Sequence, residues 1–100
     1  MKRRRVSFRP LAEADLLEIY RYIAEKAGRG AAGGYIDRIE TACMALETFP
    51  ERGTRRDDIR PGLRIIGFER RVAIAFMVEV DRVTILRLFY GGRDWEASFG

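Results

Sequence analysis

Residues 10–23 read PLAEADLLEIYRYI, and this stretch decides how the N-terminal half of the chain folds. Pro10 suits the first position of a helix, because its φ is fixed near the helical value and its missing N–H would have no partner there. Glu13 and Asp15 follow near the positive end of the helix dipole. Apolar residues recur at steps of three and four, namely at Ala12, Leu16, Ile19, Tyr20 and Ile23. The stretch therefore predicts an amphipathic helix that packs one face on a core.

A second helix is predicted directly after the first. Gly28 and Gly30 are expected to end the first helix, and the glycines that follow place the start of the second nearer Gly34. Pro50 is expected to end the second helix. Its apolar stripe consists of Tyr35, Ile36, Ile39, Ala42, Cys43, Leu46 and Phe49. Two amphipathic helices with a short connection predict an antiparallel helical hairpin.

Four strands are predicted around this hairpin. They are expected at Arg4–Arg9, Leu63–Gly67, Val72–Glu79 and Val83–Tyr90. The order β-α-α-β-β-β predicts an α+β fold, in which a small antiparallel sheet carries the N-terminal helical hairpin on one face. The length of 100 residues predicts one domain, residues 1–100.

Composition excludes several kinds of chemistry. The chain has no histidine and one cysteine, which cannot supply a usual zinc site or the imidazole base of a serine-type or cysteine-type hydrolase. No metal or other cofactor is therefore expected. The longest apolar run, Val72–Val78, is too short to span a membrane, and a single cysteine fits a reducing compartment. We expect a cytoplasmic protein that does not bind a membrane.

The predicted sheet has more apolar surface than two helices can cover. The strand over Val72–Glu79 carries apolar residues on both sides, whereas a half-exposed strand alternates apolar with polar residues. Either the C-terminal residues Trp95–Phe99 fold back over the second face, or a protein partner covers it. The partner hypothesis assigns to this surface Ile74, Phe76, Ile85, Arg87 and Phe89.

Arg87 is conspicuous because it lies in the middle of an apolar strand. A charge in that position is costly unless it is paired. Two interpretations remain open: a carboxylate pairs with it, either Glu79 or one from a partner, or the guanidinium binds a phosphate.

The order and spacing of several segments resemble the ParE toxins of the RelE/ParE superfamily, the toxic halves of bacterial toxin–antitoxin pairs. The resemblance covers nearly the whole chain. Beyond residues 10–23, the segments that carry it are Phe49-Pro50 with Gly53, Arg60-Pro61-Gly62-Leu63-Arg64, Ile85-Leu86-Arg87 and Gly91-Gly92-Arg93-Asp94.

The resemblance implies a RelE-type fold and a toxin that inhibits DNA gyrase by trapping it on cleaved DNA. It also implies a ParD-like antitoxin with a ribbon-helix-helix domain, whose C-terminal segment wraps around the toxin in a hetero-oligomer. Such a toxin has no catalytic residues and reaches DNA only through the antitoxin or gyrase. The C-terminal part of related toxins is implicated in target binding, which implies that Arg93, Asp94 and Trp95 contact gyrase.

Two alternatives remain open. Toxins of the RelE branch cleave mRNA on the ribosome, and a ribonuclease reading would assign catalysis to Arg64, Arg87 and Tyr90. Many ParE-like sequences carry a histidine where Tyr90 stands, and its absence weakens that reading. The third hypothesis is a non-toxic binding module that keeps the fold, because a fold alone does not fix a function.

Overall fold

The computed structural model describes residues 5–91, and its elements follow the predicted order except for one additional short strand, Thr54–Arg55, before the strand that begins at Leu63. The two long helices are α1, Pro10–Ala27, and α2, Arg29–Met44, which continues into a short 3-10 turn, Ala45–Glu47. The strands are β1, Arg5–Phe8; β2, Thr54–Arg55; β3, Leu63–Phe68; β4, Val72–Val78; and β5, Arg82–Tyr90. No helix within residues 5–91 is long and apolar enough to cross a membrane.

The five strands form one sheet in the order β1-β5-β4-β3-β2, which confirms the α+β fold. The expectation of a purely antiparallel sheet is wrong, because β1 runs parallel to β5. The other pairs are antiparallel. Tight hairpins force antiparallel pairing between consecutive strands, but β1 and β5 are separated by most of the chain, so no turn fixes their relative direction.

The second helix begins earlier than predicted. Gly28, at φ 95°, separates the helices, and α2 starts at the next residue instead of near Gly34. The glycines in its first turns weaken the helix, but Ala32 and Tyr35 are buried against the core at 0% and 7% exposure. Burial of one face supplies most of the stability of a helix in a folded protein, and here it outweighs the low helix propensity of glycine.

Alanine at two helical glycines is expected to stabilise the protein. A Cβ added at Gly30 or Gly33 would meet no atom within 4 Å, so the change causes no clash in the folded protein. It lowers the conformational entropy of the unfolded chain, which favours folding. Gly30→Ala with Gly33→Ala should raise the free energy of unfolding by about 1–2 kcal/mol, as chemical denaturation can measure. A loss of stability would show that the early start of α2 is wrong.

The sheet separates two apolar clusters. The helix-side core lies between the sheet and the two helices, and its strand residues are Val72, Ile74, Phe76, Val83, Ile85 and Leu88. The second cluster lies on the opposite face, with Leu63, Ala75 and Phe89 buried and with Ile59, Ile65, Ala73 and Leu86 packed against them. The prediction of apolar residues on both faces of the sheet is therefore confirmed.

Ile85 and Phe89, which the partner hypothesis places on one surface, lie on opposite faces of the sheet. Ile85 belongs to the helix-side core, whereas Phe89 belongs to the second cluster. The register shifts between Ala75 and Phe76, whose β5 partners are Arg87 and Ile85, so Leu86 is an extra residue. Such a β-bulge moves every later side chain to the other face.

Candidate functional site

Asp15 and Arg87 form a bidentate ion pair between α1 and β5. Arg87 donates from Nε to Asp15 Oδ2 at 2.8 Å and from one terminal nitrogen to Oδ1 at 3.1 Å. The backbone N–H of Leu88 also donates to Oδ2, at 2.9 Å. The side chains of Arg87 and Asp15 are only 22% and 11% exposed. The carboxylate of Asp15 therefore pairs with one guanidinium group and accepts one backbone hydrogen bond, in a site that is largely shielded from water.

The position of this ion pair follows from where β1 ends. Strand β1 pairs with β5 only as far as Ile85, whose carbonyl oxygen accepts from the N–H of Arg9. The chain then turns into α1, and Asp15, on the inner face of that helix, accepts the N–H of Leu88 beyond the end of β1. Asp15 thus takes the place of a neighbouring strand here, because a buried backbone N–H needs a hydrogen-bond acceptor.

Arg87 is paired with a carboxylate, which confirms one of the two interpretations, but this carboxylate is Asp15 of the same chain and not Glu79 or one from a partner. The hydrogen bond to Asp15 is the main cause of the raised pKa of the Arg87 guanidinium. Glu79 instead accepts from the hydroxyl of Thr84 at 3.1 Å. The sequence pattern predicts only that Asp15 stabilises the helix dipole, and the one sequence signal for its pairing is its position on the same helical face as Ala12 and Ile19.

The five residues predicted to bind an antitoxin do not share one exposed face. Ile74, Phe76 and Ile85 are 1%, 0% and 0% exposed and lie in the helix-side core, which corrects their placement on the second face. Phe89 lies in the second cluster, where the guanidinium of Arg87 is 5.0 Å from the centre of its ring. Whether any of the five contacts an antitoxin stays a prediction, but these five residues do not form one continuous binding surface.

Exposed apolar side chains are instead found along α1. Leu11 is 61% exposed and Tyr22 is 50% exposed, one on each side of the buried Asp15. The ring of Tyr22 contacts the ring of Tyr90 of β5 in a tilted arrangement, with the centroids 5.4 Å apart and the ring planes at 56°. A cleft of about 320 Å³ lies here, lined by Glu18, Ile19, Tyr22, Tyr90 and Gly91. Leu11 and Tyr22 lie outside the apolar stripe predicted for this helix, and the sequence pattern alone does not indicate that they form an exposed surface.

The three residues of the ribonuclease hypothesis lie on β3 and β5, the two strands that flank β4. Arg87 is held by Asp15, and Arg64 donates to the carbonyl oxygen of Arg52 at 3.3 Å. Arg64 lies opposite Phe76, whereas Tyr90 lies opposite Val72, four residues before Phe76 on β4. Four residues of a strand span about 13 Å, so the backbones of Arg64 and Tyr90 lie well apart, and joint action of their side chains on one phosphodiester stays a prediction.

Cys43, which the sequence places on the apolar stripe of the second helix, is fully buried in α2. Burial raises the pKa of its thiol to about 12. A thiol that stays protonated at neutral pH is a poor nucleophile, and the prediction of a core residue is confirmed. The predicted gyrase contacts Arg93, Asp94 and Trp95, and the C-terminal segment Trp95–Phe99, lie outside the described residues.

Comparison with known proteins gives consistent results. Residues 6–95 match the family model of the ParE toxin of the parDE type II toxin–antitoxin system. Toxin ParE3 of Caulobacter vibrioides is 32% identical over 92 residues, which cover 92% of this chain and 90% of that protein. A solved structure of the chromosomal ParDE toxin–antitoxin system of P. aeruginosa superimposes with a TM-score of 0.77 at 25% identity, covering 88% of this chain and 96% of that one. The family match spans both the helical hairpin and the sheet, and on this basis the protein belongs to the ParE toxin family of type II toxin–antitoxin systems.

Proposed function

We propose that this protein inhibits DNA gyrase by trapping the gyrase–DNA complex, and that a ParD-like antitoxin neutralises it in a hetero-oligomer. The observation that carries the proposal is the family match over residues 6–95, supported by a curated toxin relative across 92% of the chain. We further propose that the protein acts in the cytoplasm.

The proposed mechanism is binding and not catalysis. A toxin that binds the DNA-cleaved state of gyrase more tightly than the resealed state populates the cleaved state, without any chemical step of its own. The separation of Arg64 from Tyr90 and the ion pair of Arg87 with Asp15 favour this mechanism over RNA cleavage. The gyrase contacts are proposed at Arg93, Asp94 and Trp95, where an aromatic side chain and a guanidinium can anchor an interface.

The antitoxin is proposed to bind along α1 beside the end of β5. Leu11 and Tyr22 expose apolar surface there. Ile74, Phe76 and Ile85 belong to the core cluster on which the inner face of α1 packs, so they are proposed to hold this helix in place and not to contact the antitoxin themselves. Apolar side chains near the centre of an interface typically dominate its binding energy.

A matched pair of substitutions tests this surface. Leu11→Glu should weaken antitoxin binding at least tenfold, because it places a charge in an apolar contact, as titration calorimetry can measure. Val80→Glu changes another exposed aliphatic residue, 79% exposed between β4 and β5, and should leave the affinity unchanged. Equal effects of both substitutions would contradict an interface along α1.

The function is tested by inducing the chain in cells without an antitoxin. The expected result is an early DNA-damage response, with translation intact at first and with growth restored when the antitoxin is co-expressed. Early arrest of translation with cleaved mRNA would favour a ribonuclease. Normal growth with stable expression of the folded chain would favour the non-toxic binding module.

A further inference from the structure

The hairpin between β3 and β4 has a strained turn. Its two central residues, Glu69 and Arg70, have φ values of 48° and 60°, and the N–H of Arg71 closes the turn on the carbonyl oxygen of Phe68 at 3.0 Å. Glycine or asparagine adopts this left-handed conformation at lower cost. The backbone of the turn therefore does not explain why these positions carry a glutamate and an arginine.

Contacts within the chain explain Glu69 but not Arg70. Glu69 accepts two hydrogen bonds from Arg38, at 3.0 and 3.3 Å, and these bonds are the main cause of its lowered pKa. Arg70 is exposed and forms no hydrogen bond or ion pair with any described residue. A strained position that holds a side chain without an internal partner suggests that this side chain acts outside the chain.

The local charge differs from that of the other arginine-rich segments. In the loop after β2, Arg55 pairs with Asp57 at 3.0 Å and Arg56 pairs with Asp58 at 2.9 Å. The β3–β4 turn and its α2 neighbour Arg38, by contrast, carry three arginines and a single carboxylate. We call this set the basic turn, and its members are Arg38, Glu69, Arg70 and Arg71. Three positive charges and one negative charge leave a local excess of +2.

Aromatic contacts extend this basic surface toward α1. A hydrogen bond to Tyr90 is the main cause of the raised pKa of the Arg71 guanidinium. The ring of Tyr90 contacts that of Tyr22 at a tilt, and the ammonium group of Lys26 lies 5.7 Å from the centre of the Tyr22 ring. Cations alternate with aromatic rings along this track, which suits an extended polyanion better than a single carboxylate.

We infer that the basic turn contacts backbone phosphates of duplex DNA directly, with Arg70 and Arg71 as the phosphate-binding groups. The inference rests on the proposed function, because it gives the toxin a contact with the DNA that gyrase holds. It also departs from the expectation that the toxin reaches DNA only through its protein partners. Guanidinium groups bind phosphate oxygens with paired hydrogen bonds, without regard to base sequence.

Two double substitutions with the same loss of charge test the inference. The variants are Arg70→Gln with Arg71→Gln, and the control Arg55→Gln with Arg56→Gln, each made in the full chain. Binding to a fluorescein-labelled 20-base-pair duplex is measured by anisotropy at several salt concentrations, without gyrase. Thermal unfolding of each variant checks that it is folded, and Arg70→Gln alone, which breaks no contact among the described residues, serves as a second probe.

The basic turn should dominate DNA binding. Loss of Arg70 and Arg71 should weaken binding about tenfold at low salt. It should also reduce the slope of log affinity against log salt concentration by the share of about two phosphate contacts, while the control changes little. Equal weakening in both double variants would overturn the inference in favour of net charge alone. Unchanged DNA affinity together with weaker binding to DNA-free gyrase would overturn it in favour of an acidic protein surface. Because the DNA measurement omits gyrase, its failure leaves the gyrase proposal to a separate test.

Discussion

Replacement of Asp15 by alanine is expected to destabilise the protein by about 3 kcal/mol. The change leaves the guanidinium of Arg87 largely buried without a counter-charge, and it also removes the acceptor of the Leu88 N–H. Most domains of this size are stable by only about 5–15 kcal/mol, so the variant should lose a large part of its margin. Chemical denaturation of the purified chain measures the effect.

Two further variants separate the ion pair from general helix effects. Glu13→Ala removes an exposed acid from the first turn of the same helix and should cost less than about 1 kcal/mol. Asp15→Leu combined with Arg87→Met removes both charges and should recover part of the stability, because neither charge is then left alone. If Asp15→Ala costs no more than Glu13→Ala, the carboxylate does not have the structural role described above.

Replacement of Phe76 by alanine is expected to destabilise the protein by about 4 kcal/mol. Phe76 is fully buried in the helix-side core, opposite Ile85 on β5, and its loss leaves a cavity that the sheet and helices cannot close. The expected result is a general loss of folded protein, which circular dichroism and denaturation can measure. Antitoxin binding and toxicity should then fail together.

This result would differ from that of a surface contact. If Phe76 pointed toward a partner, Phe76→Ala would weaken binding and leave the free energy of unfolding nearly unchanged. Leu11→Glu, on the exposed ridge of α1, should show that second behaviour. A stable Phe76→Ala variant with selective loss of antitoxin binding would contradict the core position of this residue.

The elements of the fold are largely predictable from local sequence patterns. The last three strands lie within one residue of their predicted ends, because apolar runs and short polar turns are local signals. The parallel pairing of β1 with β5 was not predictable in this way, since it joins distant segments. The start of α2 was missed because the packing of Ala32 and Tyr35 overrides helix propensity.

The candidate site was predictable only in part. The position of Arg87 in an apolar strand correctly indicated that it needs a partner, but the partner lies 72 residues away on α1. One inserted residue, Leu86, moved Phe89 to the opposite face from Ile85, and no pattern in β5 announces that bulge. A charged residue in an apolar strand can be recognised in a sequence. The register of a strand and the identity of a distant partner can be read only from the folded structure.

The most direct test of the proposed function is a cleavage assay with purified gyrase, supercoiled plasmid and the purified full chain. Reactions are stopped with detergent and treated with protease, so that trapped complexes are released as linear DNA. We predict that linear plasmid accumulates with toxin concentration, that added antitoxin prevents it, and that ribosome-bound mRNA stays intact in parallel reactions. Intact plasmid with cleaved mRNA would contradict the account and identify the protein as a ribonuclease.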